Sequence, residues 1–548
     1  MQPERPSSQE PTPAARQSAL SATREPSVPP ARVLDQVNGR VLDPGTALAV
    51  KGVRPRSTVY VGPRLIVSLG PDPAVTAAVV ERLRSVAETL GWEATVHPDD
   101  AATGAAARND RAARFGVVRL DLAVRDERAT IAPDGWVLLQ HARAAYGIEA
   151  MQRVGLDHIV LVRSIDPNPF HSTNPFHSTN PFHSTNPFGA TASEPVSTYG
   201  MPGSGGRQPM AYVGPAPRRH EDAEVQGRRP VVATLDTGCG QHPWLVGVVR
   251  PGPQLDGRPI GYVDDATDPE RWFDQVGALD GGIDPLAGHG TFIAGLVHQA
   301  CPDADLVAWR VVGSDGPVVE SDLVRALADI GEIARRHRDG EPGGHPLDVL
   351  NLSMGYYHET PEDLLFDPTM YDILRMLGQC GVAVVCSAGN DATARPMFPA
   401  AFAPWADDRP GDPSDDRDKH HPEKGVVPVI SVGALNPNGT DALFSNAGPW
   451  VRAHAPGAAV MSTLPPFQGG LEPMARTEAY ARRRESIDPD DFTGEFALWS
   501  GTSFAAPVFA GRVAAALCGR IDPGDDGREA AVGRAWRALT ELTSITPE

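Results

Sequence analysis

The stretch Gly501-Thr502-Ser503-Phe504-Ala505-Ala506-Pro507 carries the most information in this chain, because it places a serine at the start of an apolar helix. The segment 508–517 that follows is rich in alanine and valine, and Arg512 is its only charged residue. This pattern predicts a buried helix whose N-terminus presents Ser503 together with a partial positive charge. Pro507 is compatible with an early position in such a helix. Taken alone, the stretch is equally consistent with an ordinary helix cap.

Two other segments supply the partners that a nucleophilic serine requires, namely a base for its proton and a buried carboxylate that orients the base. Residues 230–235 predict a buried strand that ends in Asp236, after which Gly238 turns the chain. The segment Gly288-His289-Gly290-Thr291 begins an apolar helical run. Asp, His and Ser in this chain order, each at the end of an apolar element, match one of the known arrangements of a catalytic triad.

These three segments resemble those of the subtilisin-like serine peptidases, the subtilase family, whose motifs are Asp-Thr/Ser-Gly, Gly-His-Gly-Thr and Gly-Thr-Ser-x-Ala-x-Pro. The resemblance covers roughly residues 228 to 545. It implies an α/β three-layer protease domain with a parallel sheet, acting on a peptide or protein substrate through an acyl-enzyme. In that reaction Ser503 would attack the scissile carbonyl, His289 would act as general base and acid, and Asp236 would orient the imidazole.

A fourth segment, Ser387-Ala388-Gly389-Asn390-Asp391, follows a predicted buried strand and is similar to the oxyanion-hole loop of the family. The resemblance implies that Asn390 and the backbone N–H of Ser503 stabilise the developing oxyanion, an effect of about 3 kcal/mol. As an isolated motif, Ala-Gly-Asn is more typical of a turn. Asp391 has two interpretations, a pocket acid that favours a basic substrate side chain or an exposed loop acid, and the sequence favours the second.

The segment 348–355 predicts a short apolar strand similar to the Asn-x-Ser-x-Gly substrate-binding edge of the family. Together with the segment 312–316, it would flank an extended peptide and pair with it as an added strand. The resemblance therefore assigns substrate binding to Gly313, Ser314, Gly316, Ser353, Met354, Gly355, Ala388 and Gly389.

The chain departs from the family pattern at two positions near the motifs. Phe292 stands where a second histidine is usual, and Gly240 stands where an acidic or polar residue is common. Neither change removes a member of the triad. Cys239 and Cys386 lie beside predicted site residues, and their apolar surroundings favour small core residues over a redox switch or a thiol nucleophile.

A second domain is predicted at residues 55–165, where the elements alternate as βαββαβ. This order predicts a ferredoxin-like α+β sandwich, which is also the general design of subtilase propeptides. The unit is therefore interpreted as a prodomain, with an unrelated regulatory or partner-binding domain as the alternative. The predicted strands are 59–68, 93–97, 115–124 and 158–162, and the predicted helices are 74–92 and 133–146.

The linker at 166–228 contains a tandem repeat, with three identical Asn-Pro-Phe-His-Ser-Thr copies beginning at Asn168, Asn174 and Asn180. Asn-Pro steps favour turns or extended chain and disfavour helix, so the tract is predicted to be exposed. It has three interpretations: a substrate of a modifying enzyme acting on residues 168–188, an array that binds a partner, or a recent repeat expansion. The first two define the alternative to an enzyme, a non-enzymatic scaffold or carrier.

Composition limits the remaining possibilities. The formal net charge of −20 over 548 residues argues against nucleic acid as a partner, because phosphate binding requires a basic surface. The first 54 residues are predicted to be mostly disordered, the protease domain to occupy 229–548, and neither a secretory signal nor a membrane span is recognised. Five cysteines, an odd number, favour reduced thiols and a cytoplasmic location.

No cofactor or metal is expected for the triad chemistry. Calcium is the one alternative, because an acidic loop of the protease domain offers several carboxylates, although a solvated loop is the preferred interpretation. These carboxylates belong to Asp407, Asp408, Asp412, Asp415 and Asp416.

Overall fold

The computed structural model describes most of the chain outside the termini and the linker. The described residues are 25–70, 72–100, 116–162, 207–276, 279, 283–314, 316–360, 369–406, 422–467, 476–485 and 492–547. The repeat at 168–188 and the acidic residues proposed for calcium lie outside these ranges. No helix in the described part of the chain is both long and apolar enough to cross a membrane.

The N-terminal unit is an antiparallel sheet covered by two helices. Its sheet has the order β5-β2-β4-β3, and β1 pairs with β2. The βαββαβ order and this strand order confirm the predicted ferredoxin-like α+β fold. The elements are α1 (Ala31–Asp35), β1 (Gly39–Leu42), β2 (Thr58–Ser68), α2 (Pro73–Thr89), β3 (Trp92–Val96), β4 (Val117–Val124), α3 (Gly135–Tyr146) and β5 (Val154–Leu161).

Two details of this unit differ from the sequence-based expectations. Residues 25–54 contribute α1 and β1, whereas most of the segment 1–54 was expected to be disordered; burial of Val33 and Leu42 explains why they are ordered. Helix α2 ends at Thr89 instead of reaching Trp92, because Gly91 adopts φ +74° and a Cβ there would lie 2.4 Å from the Ala129 nitrogen.

The larger unit contains a parallel sheet with the order β14-β13-β12-β11-β7-β9-β8. Smaller antiparallel pairings join β15, β18 and β6, and β16 with β17. The strands are β6 (Gln208–Pro209), β7 (Val231–Asp236), β8 (Val249–Pro251), β9 (Asp305–Arg310), β10 (Pro317–Val319), β11 (Val349–Leu352), β12 (Ala383–Ser387), β13 (Ile430–Leu435), β14 (Ala453–Pro456), β15 (Val460–Thr463), β16 (Arg476–Ala479), β17 (Arg482–Glu485) and β18 (Phe496–Trp499). The helices are α4 (His289–Ala300), α5 (Glu320–Arg338), α6 (Thr369–Gln379), α7 (Thr502–Leu517) and α8 (Arg528–Leu542).

The side chains of the central strand β7 alternate between the two faces of the sheet, and both faces are covered by helices, which gives three layers. Val231, Ala233 and Leu235 pack in one apolar core with α5 and α6, whereas Val232 packs in another with α4, α7 and α8. Successive side chains of a strand point to opposite faces, so helices cover both sides of the sheet. The α/β three-layer architecture predicted from the motifs is confirmed.

The two units are joined by strand pairing. Strand β10 of the larger unit pairs antiparallel with β5 and so extends the N-terminal sheet. At the end of β5, Leu161 and Gly355 exchange backbone hydrogen bonds of 2.9 and 3.1 Å. The last strand of the N-terminal unit therefore lies between two segments of the larger unit.

Candidate active site

Asp236 and His289 meet at the carboxyl end of the parallel sheet. Asp236 ends β7, His289 begins α4, and Nδ1 of the imidazole donates a 2.7 Å hydrogen bond to Oδ1 of the carboxylate. Both side chains are almost completely buried. Nε2 of His289 has no hydrogen-bond partner among the described residues, so the ring nitrogen opposite the carboxylate is available as a base.

Close backbone approach brings these two motifs together. Helix α4 begins after Gly288, which adopts φ +78°. At Gly290, a Cβ atom would lie 2.1 Å from the carbonyl oxygen of Gly238, so the Asp and His loops can touch only if this position is glycine. The glycines of both motifs thus have a packing role, and the imidazole, which small neighbours were expected to leave accessible, is buried.

Glu270 connects the same two loops, and the sequence analysis did not identify it. One of its carboxylate oxygens accepts hydrogen bonds from the Thr237 hydroxyl and the Gly290 N–H, and the other from the hydroxyl and N–H of Thr291. Burial raises the pKa of Glu270 to about 7, against the lowering effect of the threonine hydrogen bonds. Glu270 lies among other acidic residues in a polar loop, a sequence pattern typical of solvent-exposed carboxylates, so no signal in the sequence distinguished it.

Ser503 lies in the first turn of α7 and contacts Ser353 in both directions. Its Oγ donates to the Ser353 carbonyl at 3.3 Å, and its own carbonyl accepts from Ser353 Oγ at 2.9 Å. The second contact is possible because Pro507, four residues later, has no N–H to bond that carbonyl. In this state the Ser503 hydroxyl is directed to the Ser353 segment and not to His289.

An aromatic wall surrounds the imidazole. The His289 ring lies 5.5 Å from Trp499 and 5.3 Å from Phe504, measured between ring centroids. Phe292, which replaces the second histidine of the family pattern, packs 4.6 Å from Phe504. This wall excludes water from the back of the imidazole and strengthens the Asp236 interaction.

Asn390 is held by the residue that precedes Ser503. Its Oδ1 accepts from the Thr502 N–H and from the Thr502 hydroxyl, both at 2.8 Å. The Thr502 hydroxyl also accepts from the Gly389 N–H at 3.0 Å. These bonds fix the side-chain amide with its NH₂ group as the donor end, beside the start of α7.

Asp391 is buried, so the expectation of an exposed loop acid is wrong. The hydroxyl of Tyr357 donates to its Oδ2 at 2.7 Å. The N–H and hydroxyl of Ser27 donate to its Oδ1 at 3.0 and 2.8 Å, and Glu25 pairs with Arg395 at 2.7 Å. The N-terminal segment that contains Glu25 and Ser27 therefore packs against the loop of Asp391, and these tertiary contacts bury the Asp391 carboxylate.

The predicted substrate-binding residues separate into three groups. Ser353, Met354, Gly355 and Gly389 line a pocket together with Asn390, Asp391 and Ser503. The carbonyl oxygen of Gly316 accepts a hydrogen bond from the Val162 N–H at 3.4 Å, so Gly316 contacts the residue after β5. Ala388 is buried, and its N–H donates to the carbonyl oxygen of Val432. The last group is Gly313 and Ser314, which form no hydrogen bond with β5 in the described part of the chain. The Ser314 carbonyl oxygen accepts a hydrogen bond from the Leu286 N–H instead.

The family model described as "Subtilase family" matches residues 227–522. This chain belongs to the subtilase family. Similar relatives include an intracellular serine protease of Paenibacillus polymyxa, 25% identical over 301 residues, and serine protease AprX of Bacillus subtilis, 24% identical over 313 residues.

These subtilases are matched only over part of their lengths. The matches cover 53% of this chain and 67% of the Paenibacillus protein, and 54% of this chain and 58% of AprX. A cold adapted subtilisin-like serine proteinase of known structure is 20% identical, with a TM-score of 0.34, over 58% of this chain and 86% of that one.

Another of the buried histidines of this subtilase lies at the junction of its two units. His158, in β5, contacts Glu320 through Nδ1 at 2.6 Å and Glu359 through Nε2 at 2.7 Å. Burial alone lowers the pKa of His158, but the two carboxylate charges outweigh it and raise the pKa to about 10. His158, His358 and Glu359 also have metal-ligand spacing. Because a carboxylate contacts each ring nitrogen, His158 is a cation that bridges Glu320 and Glu359, an arrangement we call the His158 clamp.

Proposed function

We propose that this subtilase is a serine endopeptidase that hydrolyses peptide bonds through an acyl-enzyme. The observation that carries the proposal is the buried 2.7 Å hydrogen bond between Asp236 and His289, which leaves Nε2 without a described partner. The helix that packs beside this pair carries Ser503 in its first turn. A base with an available nitrogen next to a serine at a helix N-terminus suits acyl transfer.

In the proposed reaction, the Ser503 hydroxyl leaves the Ser353 carbonyl and transfers its proton to Nε2 of His289 as its oxygen bonds to the scissile carbon. Catalytic hydrogen bonds that are long or absent without substrate often form in the substrate complex. Asp236 stabilises the imidazolium that results. His289 then protonates the leaving amine, and a water molecule, deprotonated by the same imidazole, releases the acyl group from Ser503.

The oxyanion would be stabilised by the Asn390 side-chain amide and the Ser503 N–H. The two bonds from Thr502 to Oδ1 support this role, because they orient the amide before the substrate arrives. A donor that is already oriented requires no reorganisation during the reaction, and losing it costs about 100- to 1,000-fold in kcat.

Substrate would bind as an added strand between the segments of Gly316 and Gly355. In the structure this position is taken by the end of β5, since Leu161 pairs with Gly355 and Val162 bonds to Gly316. The N-terminal unit would therefore keep the enzyme latent, as a propeptide does. Because β5 and Val162 take the strand position proposed for substrate, we include self-cleavage within 163–206 in the proposal.

The decisive experiment follows the intact mass of the purified chain over time beside its Ser503→Ala variant. Fragments from the parent alone, mapped to the linker, would support both activity and self-processing. Ser544→Ala, an exposed serine substitution, is the matched control and is expected to cleave like the parent.

Two results would count against the proposal. Equal cleavage of parent and Ser503→Ala would identify a contaminating protease. If neither the chain nor a panel of unstructured peptides is cut by the parent, the endopeptidase function fails. A scaffold or carrier function based on the repeat at 168–188 would survive Ser503→Ala, which distinguishes that alternative.

Three finer assignments belong to the same proposal. The repeat at 168–188 would be the target of a modifying enzyme, the protein would act in the cytoplasm, and the enzyme would need no metal, so that calcium would not stabilise the acidic segment that contains Asp412. The intact mass of the repeat fragment from the native host tests the first assignment. Cell fractionation tests the second, and the thermal midpoint with calcium or with a chelator tests the third.

A further inference from the structure

The two helices that carry His289 and Ser503 in their first turns each end at a cysteine. Cys301 is the C-cap of α4, and Cys518 is the C-cap of α7. Their Sγ atoms lie 3.6 Å apart. The proposed base and nucleophile thus lie at the starts of two packed helices, and a thiol pair lies where both helices end.

Backbone packing holds these sulfur atoms close together. At Gly511 of α7, a Cβ atom would lie 2.5 Å from Cβ of Ala300 and 3.0 Å from the Val297 carbonyl oxygen of α4. The helices therefore touch directly in the turns next to the two cysteines. A disulfide has an S–S length of about 2.05 Å, so the sulfurs need to approach by about 1.5 Å, a distance within reach of side-chain rotation.

The two thiols differ in access and acidity. Cys518 is partly exposed, and the hydrogen bond from Cys301 holds the pKa of the Cys518 thiol below its usual range. The same bond, together with burial, raises the pKa of Cys301. Burial also raises the pKa of Cys380 and Cys386. Cys518 is therefore suited to react first, with Cys301 as its resolving partner.

We infer that Cys301 and Cys518 form a disulfide site that low-molecular-weight disulfides oxidise. The Cys518 thiolate attacks oxidised glutathione, forms a mixed disulfide and releases one glutathione thiolate. Cys301 then loses its proton and attacks Cys518 Sγ, releasing a second glutathione thiolate. Both released thiolates are protonated, so the protein loses two electrons and two protons and one oxidised glutathione becomes two reduced molecules.

The resulting bond would join the ends of α4 and α7 without changing their first turns. It would close the long chain segment between positions 301 and 518, and closing a long loop restricts the unfolded chain. We expect the thermal midpoint of the larger unit to rise by about 5 to 10 °C on oxidation. The inference depends on the helix packing and is independent of the proposed peptidase activity.

The test uses the full chain with Ser503→Ala, so that self-cleavage does not complicate the result. The protein is incubated in a series of reduced-to-oxidised glutathione ratios, and peptides are mapped without reduction. A cross-linked peptide pair containing Cys301 and Cys518, with a higher thermal midpoint that dithiothreitol reverses, supports the inference. Adding Cys518→Ser should remove both effects, whereas Cys380→Ser should retain them.

Several outcomes would overturn it. These are a persistent glutathione adduct on Cys518 without a cross-link, a disulfide to another cysteine, or reduced thiols at every ratio under which the chain remains folded. The peptide map of the Ser503→Ala protein decides among them even if Cys518→Ser fails to fold. The thermal midpoint of the reduced Cys380→Ser protein shows whether losing a buried thiol is itself destabilising.

Discussion

Two buried histidines of this chain have similar surroundings and different consequences. His289 is 0% exposed and hydrogen-bonds one carboxylate, Asp236, while its second nitrogen has no described partner. His158 is 2% exposed and hydrogen-bonds two carboxylates, Glu320 and Glu359, one at each nitrogen. The first arrangement leaves a lone pair for chemistry, and the second engages both nitrogens in a charged contact between the two units.

Burial beside a carboxylate is therefore not enough, by itself, for the catalytic role proposed for His289. What matters is whether one ring nitrogen is left without a partner and faces a group that can react.

Replacing His289 with Ala is expected to lower kcat by about 10⁶-fold, because the base and the acid of the proposed reaction are lost together. The measurement is hydrolysis of a fluorogenic peptide after the parent and the variants have all been cut in the linker by an added protease that is then removed, because His289→Ala is not expected to process itself. His345→Ala is a matched control, since that side chain is partly buried and bonds the Pro346 carbonyl instead of the site. Comparable losses in both variants would show that His289 has no special role.

Replacing His158 with Gln is expected to destabilise the folded chain by about 3 to 5 kcal/mol, because Glu320 and Glu359 would remain buried without their cation. Urea unfolding of the Ser503→Ala background measures this. His220→Gln is the control, since its ion pair with Asp303 is exposed and its loss should cost about 1 kcal/mol or less. An equal, small loss in both variants would contradict the clamp interpretation.

Replacing Glu270 with Gln is expected to lower kcat by about 100-fold with little change in KM, because the Asp and His loops lose a shared acceptor and the imidazole shifts. Glu332→Gln provides a control with another buried carboxylate, one that pairs with Arg335 on α5. If KM rises while kcat is retained, Glu270 supports substrate binding and does not position the imidazole.

Stability should also depend on pH through His158. Its pKa is about 10 in the folded state and about 6.5 in the unfolded state, so its contribution is complete below pH 6.5 and is lost as the pH rises through 10. Glu359 has a folded-state pKa well below its usual range, so its contribution is present above about pH 4.5 and is lost as the pH falls. In the Ser503→Ala background, urea midpoints from pH 6 to 10 should decline more with His158 present than with His158→Gln, and parallel profiles would refute this assignment.

The smallest expected effect concerns the N-terminal segment in the pocket. Replacing Ser27 with Ala removes the hydroxyl donor to Asp391, and one such bond is worth about 1 kcal/mol, or about 5-fold. Hydrolysis of a small peptide should therefore become faster by about that factor. Thr46→Ala, outside the described pocket lining, should have no effect. A slower reaction in Ser27→Ala would show that the segment supports the pocket instead of competing for it.

Local sequence patterns predicted a large part of this architecture. The strand before Asp236 and the helices after His289 and Ser503 are continuous apolar segments, and their periodicity and glycines identify them without any distant contact. The ferredoxin-like unit could be predicted in the same way, because each of its strands and helices has its own hydrophobic pattern. Helix ends were less accurate, as at Gly91, where contact with Ala129 decides the boundary.

Contacts between distant segments could not be predicted from local sequence patterns. Glu270 and Asp391 both occur in polar loops, and only folding buries them, against Thr237 and Thr291 in one case and Tyr357 in the other. The pairing of β5 with β10 likewise depends on how the two units meet.

The amino-acid sequence alone was enough to predict the family, the elements and the three residues proposed for catalysis, because each of these depends on neighbouring residues. Tertiary structure was needed to learn that His289 has a ring nitrogen without a described partner while His158 has none, that β5 takes the strand position proposed for substrate, and that Cys301 lies beside Cys518. Each of these facts concerns atoms far apart in the chain, whose separation is determined by packing.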